Sequence, residues 1–219
     1  ALIGEPTGMR PVRMHKGMMM EAIRLHGHAG HSSDPALGNS ALEAMHRVIT
    51  ALLAWRQELQ SRWQDPLFAV PVPTLNLGHI HGGDNPNRIC ARCELQFDLR
   101  PLPGMDLEEL RSELAQRLER RLEGGQLSLQ MHSAFSGIPP METPASAEIV
   151  RVAEEITGHP AGTVAFGTEG PYLQRLGVET LILGPGDIEQ AHQPNEYLGL
   201  ERIEPMIALI RSLVRHFCL

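Results

Sequence analysis

No apolar run in the sequence approaches the length of a membrane span, and the first residues lack a charged-then-apolar signal pattern. A soluble, cytoplasmic protein with no membrane partner is the expectation. A basic excess is also missing: the formal charge is −7 and the arginines are scattered through predicted helices, so nucleic acid is not an expected partner. Cysteine is scarce. Three residues, Cys90, Cys93 and Cys218, are too few and too odd in number for a secreted disulfide framework, which fits a reducing compartment. Cys90 and Cys93 form a C-x-x-C, but both read as part of one strand, where residues three apart point to opposite faces. They are expected to be free thiols packed in a sheet. No internal repeat or low-complexity tract is visible. What remains is an ordinary globular composition, 42 % hydrophobic over 219 residues, enough for one large domain or two small ones with a packed core.

The chain opens Ala1-Leu2-Ile3-Gly4-Glu5-Pro6-Thr7, with no initiator Met and no polar lead-in, as if a strand had been cut near its end. It reads as the C-terminal part of something longer. An extended segment leads to Gly17 and a strand predicted over Met18–His26, followed by a loop of small residues from Gly27 to Pro35. Ser40 with Glu43 makes a capping box for a helix with Leu42, Met45, Val48, Ile49, Leu52, Trp55 and Leu59 on one face. Strands are predicted over Thr74–His81 and Arg88–Arg100, joined by the turn-rich Gly82–Asn87. Asp106 with Glu109 caps a second amphipathic helix bearing Leu107, Leu110, Leu114, Leu118 and Leu122, which stops at Gly124-Gly125. A strand over Leu127–His132 closes the unit. Strand, helix, strand, strand, helix, strand is a split β-α-β unit of ferredoxin-like arrangement.

A linker, Ser136–Thr143, separates this module from a different pattern. Pro144 suits the first turn of a helix running to Ile156 and ended by Gly158. A strand over Thr163–Phe166, a turn with Gly167-Thr168-Glu169-Gly170, a short helix and a strand over Thr180–Leu183 follow. The closing helix carries Ile203, Ile207, Ile210, Val214 and Phe217. Alternating strand and helix predicts a layered α/β domain. Residues 1–16 and 134–219 are thus read as pieces of one α/β domain, with 17–133 an inserted α+β module.

Glu5 and His192 each stand just past a strand of that α/β sheet, where such folds keep chemistry. Carboxylate and imidazole together suit zinc or cobalt, yet a catalytic zinc needs three protein ligands and an open position. Glu142, Glu148 and Glu154 read as helix surface, so no third ligand is evident. For His192 a surface position in a long connection is the plainer alternative. His31 sits among small residues that let a histidine project, and a solvated loop residue is its plainer reading; His28 reads as incidental. Arg100 closes Asp98-Leu99-Arg100 at a strand end, where a guanidinium can hold a carboxylate in bidentate fashion or pair with Asp98.

Gly4-Glu5-Pro6-Thr7, Gly30-His31-Ser32-Ser33, the run Thr74 to Cys90, Phe97-Asp98-Leu99-Arg100 through Met105, and Gly184-Pro185-Gly186 with Ala191 to Tyr197 carry a resemblance in the right order along the whole chain. Together they resemble the co-catalytic dizinc aminoacylase and carboxypeptidase family of metallopeptidases. Ile89-Cys90 and Arg100-Pro101-Leu102-Pro103-Gly104-Met105 resemble its acetylornithine deacetylase branch. The resemblance implies a metallopeptidase-type α/β catalytic domain with a ferredoxin-like dimerisation lid over 17–133, a homodimer formed through that lid, and two zinc or cobalt ions per site. It implies hydrolysis of N2-acetyl-L-ornithine to acetate and L-ornithine, a step of arginine biosynthesis, with a related deacylase, such as a succinyl-diaminopimelate desuccinylase, or a dipeptidase as alternatives. Carried over by residue, Glu5 and His192 resemble metal ligands and His31 a lid histidine that reaches the partner's site and stabilises the oxyanion. Asn87 and Arg100 resemble substrate-binding residues, Arg100 for the α-carboxylate, and Thr168 a position lining the pocket. A carboxylate at Glu169 is further expected to meet the ammonium of ornithine. The family's remaining metal ligands and its general base lie upstream of the position of Glu5, so the chain alone is expected to be inactive, and a non-catalytic dimerisation module is the alternative of another class.

Overall fold

The computed structural model describes all 219 residues, which divide into two compact units, Ala1–Lys16 with Pro140–Leu219 and Gly17–Pro139. The chain begins in the first unit with β1 (Leu2–Ile3) and β2 (Val12–His15). The second strand lies in what the sequence offers only as an extended segment.

The Gly17–Pro139 unit runs β3 (Met19–His26), α1 (Ala41–Arg62), β4 (Thr74–Gly82), β5 (Arg92–Arg100), α2 (Leu107–Leu122) and β6 (Ser128–Ser133). Its sheet has the order β4-β5-β3-β6 with every neighbouring pair antiparallel, the ferredoxin-like arrangement expected. Period-2 alternation explains the face it buries: Cys93, Leu95, Phe97 and Leu99 are inside, while Arg92 before them and Gln96 among them are exposed and Glu94 and Asp98 are half-buried. Met45, Val48, Leu52, Trp55 and Leu59 of α1 and Leu110, Leu114 and Leu118 of α2 complete the core. Both helices start as their caps dictate, Ser40 Oγ accepting from the Glu43 amide and Asp106 Oδ1 from the amides of Glu108 and Glu109. Leu42 is an exception to the expected apolar face: it is 49 % exposed, and Ala41, Ala44 and Ala51 share the buried stripe instead. Residues 134–139 stay with this unit, tied by the paired backbone bonds between Met18 and Ile138.

β5 begins at Arg92 rather than Arg88, because the preceding backbone is bonded elsewhere. The Ile89 amide donates to the Gly30 carbonyl, and the carbonyls of Cys90 and Ala91 accept from the amides of Ala41 and Gly27. Cys90 therefore stands off the strand, and the alternation that put the two thiols on opposite faces does not apply. Both are free and buried, and the Cys90 thiol donates to the Arg92 carbonyl at 3.2 Å.

The first unit continues with β7 (Met141–Glu142), α3 (Glu148–Thr157), β8 (Gly162–Val164), α4 (Gly170–Gln174), β9 (Leu181–Ile182) and α5 (Ile203–Cys218). Its five-stranded sheet has the order β1-β9-β2-β7, with β8 pairing β2. β1 and β9 are parallel, as are β2 and β8, whereas β2 is antiparallel to β7 and β9. Strands β8 and β9 are shorter than expected. Helix α3 starts at Glu148, not Pro144; the Pro144 carbonyl accepts from the Ala147 amide in a turn before it, and Gly158 ends it in the left-handed region at φ 69°. Glu142 lies on a strand, not a helix surface, and pairs with Arg13 at 3.5 Å. Helix α5 buries Met206, Leu209 and Leu213 against the core that α3 and β9 share, leaving Ile203, Ile210, Val214 and Phe217 outside. The helix is apolar on two sides, so its sequence offered two stripes.

Candidate functional site

Within the first unit, the sheet brings Glu5 and the loop of His192 to one edge. The parallel strands β1 and β9 pair Leu2 with Leu181 and Ile3 with Ile182, so both chains leave the sheet in the same direction, one toward Glu5 and the other toward Gly184. The two exits are laced together. The Gly184 amide donates to Thr7 Oγ1 at 3.1 Å, the Met9 amide to the Gly184 carbonyl at 2.8 Å and the Gly8 amide to the Gly186 carbonyl at 2.7 Å. Glu5 is half-buried in that bend. Beyond it Arg202 Nη1 donates to the Pro185 carbonyl and to Asp187 Oδ1, pinning the start of the loop, while His192 is exposed and in the left-handed region at φ 63°. A histidine tolerates this conformation better than most non-glycine residues.

The donor chemistry of this edge, one carboxylate and one imidazole, fits a divalent cation such as zinc. Nowhere in the chain do three His, Cys, Asp or Glu side chains converge for a metal. Glu5 and His192 alone do not make a metal site.

Thr168 and Glu169 come next to each other before α4. Thr168 is buried, its Oγ1 accepting from the Gly170 amide at 3.1 Å, and Glu169 is exposed. The Thr168 amide donates to Nε2 of His15 on β2 at 3.3 Å. His15 is fully buried, and desolvation lowers its pKa against the opposing pull of its bond to the Lys16 carbonyl and of the Glu169 carboxylate. Reading the sequence passes over His15. The run Val12-Arg13-Met14-His15-Lys16 has no clean alternation, so nothing in it marks the histidine as interior.

In the Gly17–Pro139 unit, two loops are zipped side by side. The Ser32 amide donates to the Asn87 carbonyl at 3.0 Å, and His31 and Arg88 form an isolated antiparallel bridge. Gly30 is packed on the other side by Leu37, whose carbonyl oxygen would stand 2.4 Å from a Cβ at that position. The Ser33 amide donates to Nδ1 of His31 at 3.2 Å, with the Ser33 hydroxyl 2.7 Å away, so Nδ1 is an acceptor and the ring proton of the neutral form sits on Nε2. His31 thus projects an N–H donor into solvent. The side-chain amide of Asn87 is likewise exposed, its backbone shaped by Asn85 Oδ1 at 3.1 Å. A cleft nearby, lined by Ser32, Asp84, Asn85 and Arg88 together with Leu42 and Ile89, includes neither His31 nor Asn87.

Arg100 is not part of that cluster. It closes β5, whose nine residues separate it from the loop by roughly 27 Å. Its Nε donates to Asp98 Oδ2 at 2.8 Å.

The chain is 49 % identical over 217 residues to an acetylornithine deacetylase of Edwardsiella ictaluri, covering 99 % of this chain and 56 % of that protein. It is 48 % identical over 218 residues to one of Pectobacterium carotovorum subsp. carotovorum, covering 100 % and 57 %. It therefore spans a little over half the length of these relatives. Among solved structures, a tripeptidase from Staphylococcus aureus superposes with a TM-score of 0.70 at 19 % identity, covering 97 % of this chain and 54 % of the other. An M20 family metallo-carboxypeptidase from Sulfolobus solfataricus superposes with a TM-score of 0.69 at 15 % identity, covering 97 % and 62 %. At those identities the likeness speaks to the fold. Residues 13–126, more than half of the chain, match the model of the peptidase dimerisation domain, and the chain belongs to that M20 peptidase family.

Proposed function

We propose that this chain serves a metal-dependent amide hydrolase that removes acetate from N2-acetyl-L-ornithine and releases L-ornithine in the cytoplasm. The observation that carries the reading is identity of 48–49 % along essentially the whole chain to proteins called acetylornithine deacetylase, with Glu5 and the loop that carries His192 following the adjacent parallel strands β1 and β9. The absence of a helix long and apolar enough to cross a membrane accords with it.

In this reading Glu5 would be a ligand of one and His192 of the other of two zinc or cobalt ions, with further donors outside this chain. Such ions supply a Lewis acid and a water of lowered pKa. The remaining roles belong to the protein. The Nε2–H of His31 donates to the oxygen that becomes negative as the acetyl carbonyl is attacked, an interaction stronger in the transition state than in the ground state. Asn87 adds a donor beside it. The guanidinium of Arg100 holds the α-carboxylate, shifting from Asp98 to do so, and Glu169 meets the ammonium on the wall that Thr168 floors. The distance along β5 between Arg100 and the His31–Asn87 loops favours their service to different sites. A homodimer through the Gly17–Pro139 unit would then lend His31 and Asn87 to the partner.

The test is acetate release from N-acetyl-L-ornithine with zinc or cobalt, by this chain and by the chain extended upstream to the length of its relatives. Turnover is expected in the extended protein and none in this chain alone. An extended, folded, metal-loaded protein that prefers N-succinyl-diaminopimelate or a dipeptide would transfer the reading to a related hydrolase. One that dimerises but neither binds zinc nor hydrolyses any of these would leave a dimerisation module.

A further inference from the structure

The turn from Gly167 to Gly170 is held at three points, and one of them is a buried imidazole. Thr168 Oγ1 accepts from the Gly170 amide at 3.1 Å. Gly170 packs so tightly that a Cβ would stand 2.3 Å from Met141 Sδ on β7. The third point is the Thr168 amide, which donates to His15 Nε2 at 3.3 Å. On the other side of the ring, Nδ1 lies 2.7 Å from the Lys16 carbonyl oxygen. A carbonyl can only accept, so Nδ1 carries the ring proton and Nε2 is left as the acceptor. The two bonds specify one tautomer, and a side chain with no exposure has no water to substitute for either.

We propose that His15 is a positioning residue for the substrate wall: its Nδ1–H imidazole anchors the Thr168 amide and so sets where the Glu169 carboxylate stands to receive the ammonium group of a diamino acid. This rests on the reading of Glu169 as the ammonium partner given above. The sense of the arrangement is steric as well as polar. Glu169 itself is exposed and its carbonyl accepts from the Tyr172 amide at 3.0 Å, so its position is set by the backbone around it, Thr168 tied to β2 and Gly170 pressed on Met141 of β7. Removing the acceptor from His15 frees one side of that turn while leaving the hydrolytic groups in place.

The imidazole can be divided between two amides. His15→Gln puts an acceptor oxygen near the Nε2 position, whereas His15→Asn reaches only the Nδ1 position and leaves the Thr168 amide without a partner. In the full-length, metal-loaded protein, kcat and KM are measured for N-acetyl-L-ornithine and for N-acetyl-L-norvaline, which has the same carbon chain without the ammonium. His15→Asn is expected to cut the preference for the ornithine substrate by about 10-fold, through KM, with the norvaline substrate little changed; a buried amide left unpaired warrants that size. His15→Gln is expected to keep most of the preference. Equal losses on both substrates, or no rescue by Gln, would make His15 merely structural and overturn the proposal. A wild-type protein that does not favour ornithine over norvaline, or a Glu169→Gln variant that keeps the preference, overturns the role of Glu169 and with it this inference. Should His15→Asn fail to fold, hydrogen exchange at the Thr168 amide decides: protection retained in His15→Gln supports the anchor, and protection lost there overturns it.

Discussion

Gly184 lies so close to Glu5 that a Cβ on it would stand 2.3 Å from the Glu5 carbonyl oxygen. The exits of β1 and β9 thus touch backbone to backbone, and only a residue without a side chain permits it. Gly184→Ala must push the two exits apart, at an expected cost of about 1–3 kcal/mol, the range for overpacking. Urea denaturation followed by circular dichroism measures it, and an unshifted midpoint would mean that the bend at Glu5 yields freely.

The proposed exchange of His31 between protomers has a direct test in mixed dimers. His31→Ala is expected to lower kcat of the full-length enzyme about 100-fold or more, the loss typical of one oxyanion donor. Mixing it with Glu5→Ala should restore about one quarter of wild-type activity, because half of the randomly paired dimers are hybrids with one intact site of two. No recovery on mixing would place His31 in its own subunit's site.

Trp55 is the largest fully buried side chain of the Gly17–Pro139 unit, and its Nε1–H donates to Glu113 Oε1 at 2.8 Å. Glu113 is also held by Arg62 at 3.0 Å, so Trp55→Phe leaves no orphaned charge and is expected to cost about 1–2 kcal/mol. Trp55→Ala, which empties a core site, should cost about 3–5 kcal/mol. Equal losses in the two variants, read from denaturation midpoints, would contradict this division between hydrogen bond and volume.

The two units are expected to fail at opposite ends of the pH scale. Burial pushes the Cys93 thiol above its ordinary pKa, with the Cys90 sulfur adding to the effect. Above about pH 8.5 an unfolded thiol ionises while the folded one does not. The native state then binds more protons, and stability falls as pH rises. Burial lowers the pKa of His15, so below about pH 6.5 the unfolded state takes a proton that the folded imidazole refuses. Stability of the first unit therefore falls with pH until the folded group itself titrates. Cys93→Ala should flatten the alkaline slope and His15→Gln the acid slope, each seen by thermal denaturation across pH.

The outline of the Gly17–Pro139 unit was legible because its signals are local. Ser40 and Asp106 offer side-chain acceptors where amides would otherwise go unbonded, and the leucines of α2 recur at three and four. Antiparallel pairing with helices on one face follows from alternation along β5. The same logic misplaced the start of β5 and with it Cys90, because residues 89–91 give their backbone bonds to Gly27, Gly30 and Ala41, partners distant in sequence. In the first unit the strands are two to four residues long, too short for a period to show.

The candidate site divides in the same way. Residue types and order along the chain raised Glu5, His31, Arg100 and His192 as candidates, since carboxylates, imidazoles and a guanidinium at strand ends and small-residue loops announce themselves one at a time, whereas the roles given to Asn87, Thr168 and Glu169 came with the family resemblance. Tertiary structure alone decided which of them share a place: the pairing of β1 with β9 joins the bends of Glu5 and Gly184, the zipped loops join His31 to Asn87, and the length of β5 parts both from Arg100. It also decided the tautomers of His31 and His15, because a ring proton follows whichever acceptor or donor the fold brings to the other nitrogen.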